Sequence, residues 1–144
     1  MGKNRLHDGV VGYVPGAWDM FHIGHLNILK RSRESCDWLV AGVVTDEVLF
    51  GMKGKYPIVP FDERLAIVAS IGIVDEAVLD ESAHKVEAWQ RLQFDVLFKG
   101  DDWRGTSRGE QLEAELATVG ARVHYFPYTL TTSSTELRRA LSER

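Results

Sequence analysis

Apolar runs and helix-like segments alternate along the chain. Short apolar runs at 10–14, 38–44, 76–80, 95–100 and 122–126 predict β-strands. Apolar residues at helical spacing predict helices over 25–34, 61–72, 84–92, 110–120 and 136–144. The alternation predicts an α/β fold, a single Rossmann-like, doubly wound parallel sheet with helices on both faces. The sequence contains no internal repeat or linker, so we expect one domain over residues 1–144.

The polar segments that follow the predicted strands carry most of the candidate chemistry. They are PGAWDMFHIGH at 15–25, TDE through KGK at 45–55, KGDDW at 99–103 and TLTTSST at 129–135. Within the second of them we expect GMKGKYP, at 51–57, to be a loop. Ligands of doubly wound sheets bind beyond the carboxyl ends of the strands. The four segments therefore predict one binding site on one edge of the sheet.

Composition narrows the classes of partner. The 144 residues are 44% hydrophobic and 26% charged, with a formal net charge of −4 and a pI near 5.7. There is no broad basic field to attract nucleic acid or an anionic membrane, so we expect neither as a partner. The single cysteine, Cys36, suits a reducing compartment, and the sequence has neither a signal-peptide pattern nor a long apolar span. We expect a cytoplasmic protein.

His22 and His25 stand three residues apart, with Gly24 between them, at the start of a helical pattern. Three interpretations compete. The histidines could be polar residues without a role, or they could bind a metal, although zinc usually takes three or four ligands. A phosphate site fits the surroundings best. A helix N-terminus offers free N–H groups, Gly24 permits close approach, and imidazoles can donate hydrogen bonds to a leaving pyrophosphate.

The stretch GAWDMFHIGHLNIL, at 16–29, resembles the signature of the HxGH nucleotidyltransferases, the superfamily shared with class I aminoacyl-tRNA synthetases. Within that superfamily the chain is similar to the small cytidylyltransferases, in particular those that act on glycerol 3-phosphate. Further blocks follow in the same order as in that family: TDE at 45–47, KGK at 53–55, PFDER at 60–64, GDDW at 100–103 and TSSTELR at 132–138.

The resemblance implies direct in-line attack by an acceptor phosphate on the α-phosphorus of a nucleoside triphosphate, with pyrophosphate as the leaving group. It implies transfer of CMP from CTP to a small phosphorylated alcohol such as glycerol 3-phosphate. Such chemistry needs positioning and charge neutralisation rather than a nucleophilic side chain. The resemblance also implies a nucleotidyltransferase domain over 1–144, Mg²⁺ as cofactor and a homodimer.

Residue roles are carried over by the same resemblance. His22, His25, Lys55 and Arg138 are the implied catalytic residues, and Asp19 is a candidate ligand for Mg²⁺, which the triphosphate would mainly bind. The implied acceptor-binding residues are Lys53, Lys55 and Arg64. The implied nucleotide-binding residues are Gly16, Ala17, Trp18, Asp19, His22, Gly24, His25, Lys99, Gly100, Asp101, Asp102, Trp103, Thr132, Ser133, Ser134, Thr135 and Arg138.

Each of these roles has a simpler alternative. Exposed lysines such as Lys53 and Lys55 are usually only solvated, and Arg64 could be a surface charge on its helix. Carboxylates such as Asp19 favour the first turn of a helix, and Ser and Thr are ordinary helix N-caps. Trp103 is the tryptophan least easily explained as core, because it falls in a polar segment.

Departures from the family leave the substrates open. Gly72 and Tyr128 stand where family members carry basic residues, which removes positive charge from the expected phosphate site, and Trp18 replaces a usual phenylalanine. Lys99 occupies a position that is usually apolar in the glycerol 3-phosphate enzymes and is reminiscent of sugar-phosphate adenylyltransferases. ATP with a sugar or polyol phosphate is therefore an alternative to CTP, and a nucleotide-binding module without catalysis is a further one.

Overall fold

The computed structural model describes residues 8–127 and 133–142, so Tyr128 and Thr132 lie outside the described residues. Within these ranges the strands form one parallel sheet in the order β3-β2-β1-β4-β5. The strands are β1 (Val11–Gly16), β2 (Trp38–Val44), β3 (Glu76–Asp80), β4 (Val96–Gly100) and β5 (Arg122–Phe126). The strand order reverses direction at β1, which confirms the predicted doubly wound sheet.

Helices connect the strands, and most of them lie where the apolar spacing predicts them. They are α1 (Ile23–Glu34), α2 (Asp46–Lys53), α3 (Phe61–Ala69), α4 (Lys85–Leu92), α5 (Ser107–Ala117) and α6 (Ser134–Ser142), with a 3₁₀ turn at Asp101–Trp103. None of the helices in the described ranges combines the length and the apolarity needed to cross a membrane.

Helix α2 corrects the prediction of a loop over 51–57, because its last turn includes Gly51 and Lys53. The Thr45 hydroxyl accepts a hydrogen bond from the Val48 amide at 3.3 Å and caps the N-terminus. Gly54, with φ of 74°, ends the helix in the left-handed conformation that glycine adopts readily. The capping residues therefore define a short helix despite the internal glycine.

Two apolar layers cover the two faces of the sheet. On one face Val14 of β1 packs with Leu29 of α1 and Val68 of α3. On the other face Tyr13 packs with residues of α4 and α5, including Leu116. Neighbouring residues of a strand point to opposite faces, so β1 supplies both cores. The arrangement confirms helices on both faces and brings the carboxyl ends of all strands to one edge between the layers.

Candidate active site

Two cavities open at the carboxyl edge of the sheet, one on each side. The histidine cavity, of about 780 Å³, is lined by His22, His25 and further residues of α1. The lysine cavity, of about 450 Å³, is lined by Lys85, Arg108 and further residues at the starts of α4 and α5. The residues that line both are Pro15, Gly16, Ala17, Leu49, Lys53, Lys99 and Asp102. The two cavities are therefore adjoining parts of one cleft.

Most of the site residues proposed from sequence come together in the histidine cavity. Its walls include Gly16, Ala17, Trp18, Asp19, His22, Gly24, His25, Lys53, Lys55, Lys99, Gly100, Asp102, Ser133, Ser134, Thr135 and Arg138. Asp101, Trp103 and Arg64 do not line it, and Thr132 lies outside the described residues. The single-edge arrangement expected from the strand order is thus present, whereas the individual roles of these residues remain predictions.

The main chain fixes the orientation of both imidazoles at the start of α1. His22 Nδ1 accepts a hydrogen bond from the Gly24 amide at 3.0 Å, and His25 Nδ1 accepts one from the His22 amide at 3.2 Å. A neutral imidazole carries one proton, so each ring bears it on Nε2. The rings stack with their centroids 3.9 Å apart. Both residues therefore present an Nε2–H donor rather than an acceptor.

Burial keeps these two histidines neutral. It lowers the pKa of His25 to about 4, with a further lowering from neighbouring His22 that outweighs the opposite effect of Asp19. Burial also lowers the pKa of His22. At neutral pH neither ring is an imidazolium, so each can donate a hydrogen bond without bringing a permanent charge to the cavity.

The turn that leads into α1 is strained. Trp18 and Met20 have φ values of 57° and 51°, in the left-handed region that bulky residues seldom adopt. Each such residue costs on the order of 1–3 kcal/mol and persists only where the surroundings enforce it. The Trp18 indole is buried and its Nε1–H donates to the Gly42 carbonyl at 2.8 Å. Trp18 thus anchors the turn, and its side chain belongs mainly to the core.

Asp19 links three segments of the cavity wall. Its carboxylate accepts hydrogen bonds from the Ile58 and Val59 amides at 2.9 and 2.8 Å. It also forms an ion pair with Arg138 of α6 at 3.0 Å. The carboxylate is almost fully buried, and these partners take up most of its capacity to accept hydrogen bonds. In this arrangement Asp19 organises the site and offers little to a metal ion.

Arg64 does not line either cavity, which corrects its expected role at the acceptor phosphate and the alternative of a surface charge. It is fully buried. Its guanidinium donates to the carbonyls of Ala17, Val44 and Val59 at 2.6, 2.8 and 2.9 Å, respectively. It also pairs with Asp46 at 2.6 Å. These acceptors occupy its donors, so Arg64 cannot contact a substrate. It instead stabilises the backbone of the cavity wall at Ala17.

The start of α6 faces the histidine pair. Ser134 Oγ donates to the Asp19 carbonyl at 2.6 Å and lies 3.3 Å from His22 Nε2. Because that hydroxyl proton is engaged, Ser134 Oγ accepts the His22 Nε2–H. Ser133 Oγ accepts from the Glu136 amide at 3.1 Å and caps the helix. The serines thus serve both the helix terminus and the orientation of His22.

Trp103 of the GDDW segment, an implied nucleotide-binding residue, lies apart from the histidine pair. Trp103 lines the lysine cavity, and Lys99 Nζ lies 3.9 Å from the centroid of its ring. The Arg108 guanidinium carbon lies 5.7 Å from the same centroid. Asp102 lines both cavities, whereas Asp101 lines neither. The aromatic ring therefore supports two cations instead of facing the histidine cavity.

Sequence reasoning missed several residues of the cleft. Asn27, Ile28 and Arg31 continue the wall that begins at Gly24, and Arg31 donates to the Pro127 carbonyl at 3.1 Å. Their spacing along α1 places them on one helix face, a signal that could have identified them. Lys85 and Arg108, at the starts of α4 and α5, resembled ordinary solvated charges.

Gly72 lies outside both cavities, in the connection that enters β3 at its amino end. This corrects the expectation that a glycine there removes positive charge from the phosphate site. The described residues also contain no group of three or more His, Cys, Asp or Glu side chains placed to hold a metal. The zinc interpretation of the histidine pair therefore finds no further ligands in this part of the chain.

Comparison with known proteins agrees with this architecture. The sequence profile of the cytidylyltransferase-like family matches residues 13–140. The chain belongs to that family. It is 37% identical over 95 residues to ethanolamine-phosphate cytidylyltransferase of Arabidopsis thaliana, a match that covers 62% of this chain and 22% of that relative. It is 33% identical over 124 residues to FAD synthase of Pyrococcus abyssi, covering 85% of this chain and 80% of that relative.

A solved structure shares the fold of this cytidylyltransferase-like chain. The lipopolysaccharide core biosynthesis protein of Thermoplasma volcanium superposes with a TM-score of 0.72 at 24% identity. The superposition covers 86% of this chain and 99% of that one. At this identity the likeness establishes the nucleotidyltransferase fold alone. The chain spans about a fifth of the plant relative's length.

Proposed function

We propose that this protein transfers a nucleotidyl group to a small phosphorylated alcohol such as glycerol 3-phosphate, most simply CMP from CTP, and releases pyrophosphate. Family membership supports this reaction class. One observation carries the proposal: two neutral imidazoles, both presenting Nε2–H donors, line a cleft whose adjoining part is lined by cations. Such a cleft can hold two anionic substrates side by side.

In the proposed reaction an oxygen of the acceptor phosphate attacks the α-phosphorus of the triphosphate. A new P–O bond forms while the bond from the α-phosphorus to the bridging oxygen breaks, and its electron pair leaves with pyrophosphate. In-line displacement places the attacking and leaving oxygens on opposite sides of the phosphorus. The two cavities meet at Gly16 and Ala17, so each can hold one of these groups.

The histidines would act on the leaving group. The Nε2–H of His25 can donate a hydrogen bond to oxygens whose negative charge grows as pyrophosphate departs. The Nε2–H of His22, which Ser134 Oγ accepts in this structure, can do the same when it exchanges that partner for a phosphate oxygen. Preorganised donors of this kind are typically worth about 3–4 kcal/mol, or ~10²–10³ in rate. The low pKa of His25 means that it stabilises charge without transferring a proton.

Cations around the shared wall would neutralise the phosphates. Lys55 and Arg138 line the histidine cavity, and Lys53, at the end of α2, lines both cavities. We propose Mg²⁺ as the accompanying ion, bound mainly by triphosphate oxygens, where it would neutralise charge. Mg²⁺ is commonly held by one or two carboxylates together with substrate phosphates, and the exposed Asp102 is available in the cleft.

ATP is the second candidate nucleotide. The match to FAD synthase favours it, because that relative's product contains adenine. A nucleotide-binding module without catalysis is the remaining alternative, and it predicts saturable binding without turnover.

The test is pyrophosphate release measured over a grid of the four nucleoside triphosphates against phosphorylated alcohols, sugars and phosphonates, with Mg²⁺. The proposal expects release only when both substrates are present, with CTP giving the highest kcat/KM. Higher rates with ATP would assign the adenylyl alternative. Tight nucleotide binding with no release across the whole grid would exclude catalysis.

We further propose that the protein acts in the cytoplasm as a homodimer. The single thiol, Cys36, suits a reducing compartment. Light scattering of the purified protein would measure its mass, and a monomer at working concentration would contradict the dimer.

A further inference from the structure

The lysine cavity contains more positive charge than a single reacting phosphate requires. Lys85 and Arg108 line this cavity and do not line the histidine cavity. Lys53 and Lys99 line both, so they can contact the phosphate at the shared wall. The cations confined to the lysine cavity are therefore left to contact the remote end of whatever molecule occupies it.

Two cations of the lysine cavity share one aromatic surface. Lys99 Nζ lies 3.9 Å from the Trp103 ring centroid, and the Arg108 guanidinium carbon lies 5.7 Å from it. Within residues 8–127 and 133–142, neither cation has a carboxylate within ion-pair distance. Burial is the main cause that lowers the pKa of Lys99; Asp102 acts to raise it, and the nearby charges of Lys53, Lys85 and Arg108 act to lower it. An anion between them would relieve this repulsion.

Asp80 and Ser82 fix the position of the Lys85 ammonium. This ammonium contacts the buried carboxylate of Asp80 at 3.0 Å and the Ser82 carbonyl at 3.1 Å. Asp80 also accepts the Tyr13 hydroxyl, whose ring occupies the space beside Gly42. Burial raises the pKa of Asp80, but Lys85 and the hydrogen bonds from Ser82 and Tyr13 outweigh it, so the pKa lies below its usual value. The charge of Lys85 is thus fixed at the cavity wall.

Lys85 is paired with Asp80, whereas Glu115 and Asp102, the carboxylates that line this cavity among the described residues, form no ion pair with Lys99 or Arg108. Glu115 accepts a hydrogen bond from Gln111 at 3.0 Å and lies 3.2 Å from His84 Nδ1. Asp102 is exposed at the shared wall. A volume of about 450 Å³ accommodates a small acceptor.

We propose that the preferred acceptor carries a second anionic group, a carboxylate, phosphate or phosphonate, at the end remote from its reacting phosphate. In this arrangement Arg108, with Lys85 beside it, binds the remote anion, while Lys53 and Lys99 contact the reacting phosphate at the wall shared with the histidine cavity. The inference rests on the proposed nucleotidyl transfer and narrows its acceptor class. An acceptor with a neutral or cationic remote end fits the cavity less well.

The experiment compares acceptors that differ only at the remote end. One pair is glycerol 3-phosphate and 3-phosphoglycerate, and the other is 3-hydroxypropyl phosphate and propane-1,3-diyl bisphosphate. Pyrophosphate release gives kcat/KM for each, and calorimetry with a non-reactive α,β-methylene nucleotide gives the binding constants. We expect the acceptor with the anionic end to be favoured about tenfold in both measurements, as one additional charge-assisted contact predicts.

Arg108→Gln tests the assignment, and Arg104→Gln is its matched control, because Arg104 is exposed and lines neither cavity. Arg108→Gln should reduce the preference for the anionic end severalfold, whereas Arg104→Gln should preserve it. Equal binding of both members of each pair, or a preference unchanged in Arg108→Gln, would overturn the inference and leave nucleotidyl transfer intact. A binding preference without any pyrophosphate release would refute the proposed function and support the anion site.

Discussion

The two cavities adjoin at one sheet edge, yet they present different chemistry. The histidine cavity offers neutral donors, oriented by main-chain amides at a strained turn. The lysine cavity offers permanent charges on long side chains, positioned by Trp103 and by the buried Asp80. Neutral hydrogen-bond donors stabilise negative charge that develops in the transition state. Fixed cations bind negative charge that the substrate already carries. We expect changes in the first cavity to alter kcat and changes in the second to alter KM.

Replacing Arg64 should disturb both cavities and give the largest effect. Arg64→Met removes the donors to the Ala17, Val44 and Val59 carbonyls, and Ala17 lines both cavities. Losing one partner of a buried charge pair costs about 3–5 kcal/mol. The melting temperature should fall by about 10 °C or more in a calorimetric scan. Arg139→Met, on the exposed face of α6, is the control, and an equally small change in both variants would contradict the buried role.

Replacing His25 should affect the histidine cavity selectively. His25→Ala removes an Nε2–H donor, and kcat for pyrophosphate release should fall by ~10²–10³ with little change in the acceptor KM. Far-UV circular dichroism would verify that the fold is retained. His124→Ala, at an exposed position that lines neither cavity, should keep the wild-type kcat. Normal turnover by His25→Ala would remove this residue from the mechanism.

Acidification should destabilise the folded protein through His25. The folded-state pKa of His25 is about 4, below its ordinary 6.5, so the unfolded chain binds more protons between these values. The free energy of unfolding should therefore be highest above pH 6.5 and decline as the pH falls towards 4. In His25→Asn this decline should be shallower, because the titrating group is gone. Melting temperatures measured across this pH range would test this, and the same dependence on pH in both proteins would disprove the assigned pKa shift of His25.

The smallest expected effect concerns the support of His22. Ser134→Ala removes the hydroxyl that accepts the His22 Nε2–H, a contact worth about 1 kcal/mol. We expect kcat to fall about fivefold while the acceptor KM stays near its original value. Ser70→Ala, on the exposed end of α3, is the matched control for loss of a serine hydroxyl. A change confined to KM would place Ser134 with the binding residues instead.

Much of the fold was predictable because local patterns agree with the tertiary structure. β2, β3 and β5 span the predicted residues, since short runs rich in apolar residues favour strands. The position of the cleft followed from strand order, because parallel strands bring their carboxyl ends to one edge. Helix α2 was missed because the caps at Thr45 and Gly54, rather than periodicity, define it.

The site was predictable where motifs specify it and unpredictable where distant segments converge. His22 and His25 belong to a local motif, so their position at the start of α1 could be predicted from adjacent residues. The burial of Arg64 depends on carbonyls from three separate segments, which no local pattern reports. Arg108 follows a polar stretch and resembles a solvated charge. Its proximity to Trp103 arises only when β4 and α5 are brought together.

The ion pair between Asp19 and Arg138 has a consequence for the order of folding. The two residues are 119 positions apart, and both line the histidine cavity. Contacts of such long sequence separation form late, because a long loop must close before they stabilise the chain. A nascent chain that lacks α6 also leaves the Asp19 carboxylate without its arginine. The cleft is therefore completed only after the ribosome has synthesised almost the whole domain, which leaves the half-made protein without a finished nucleotide site.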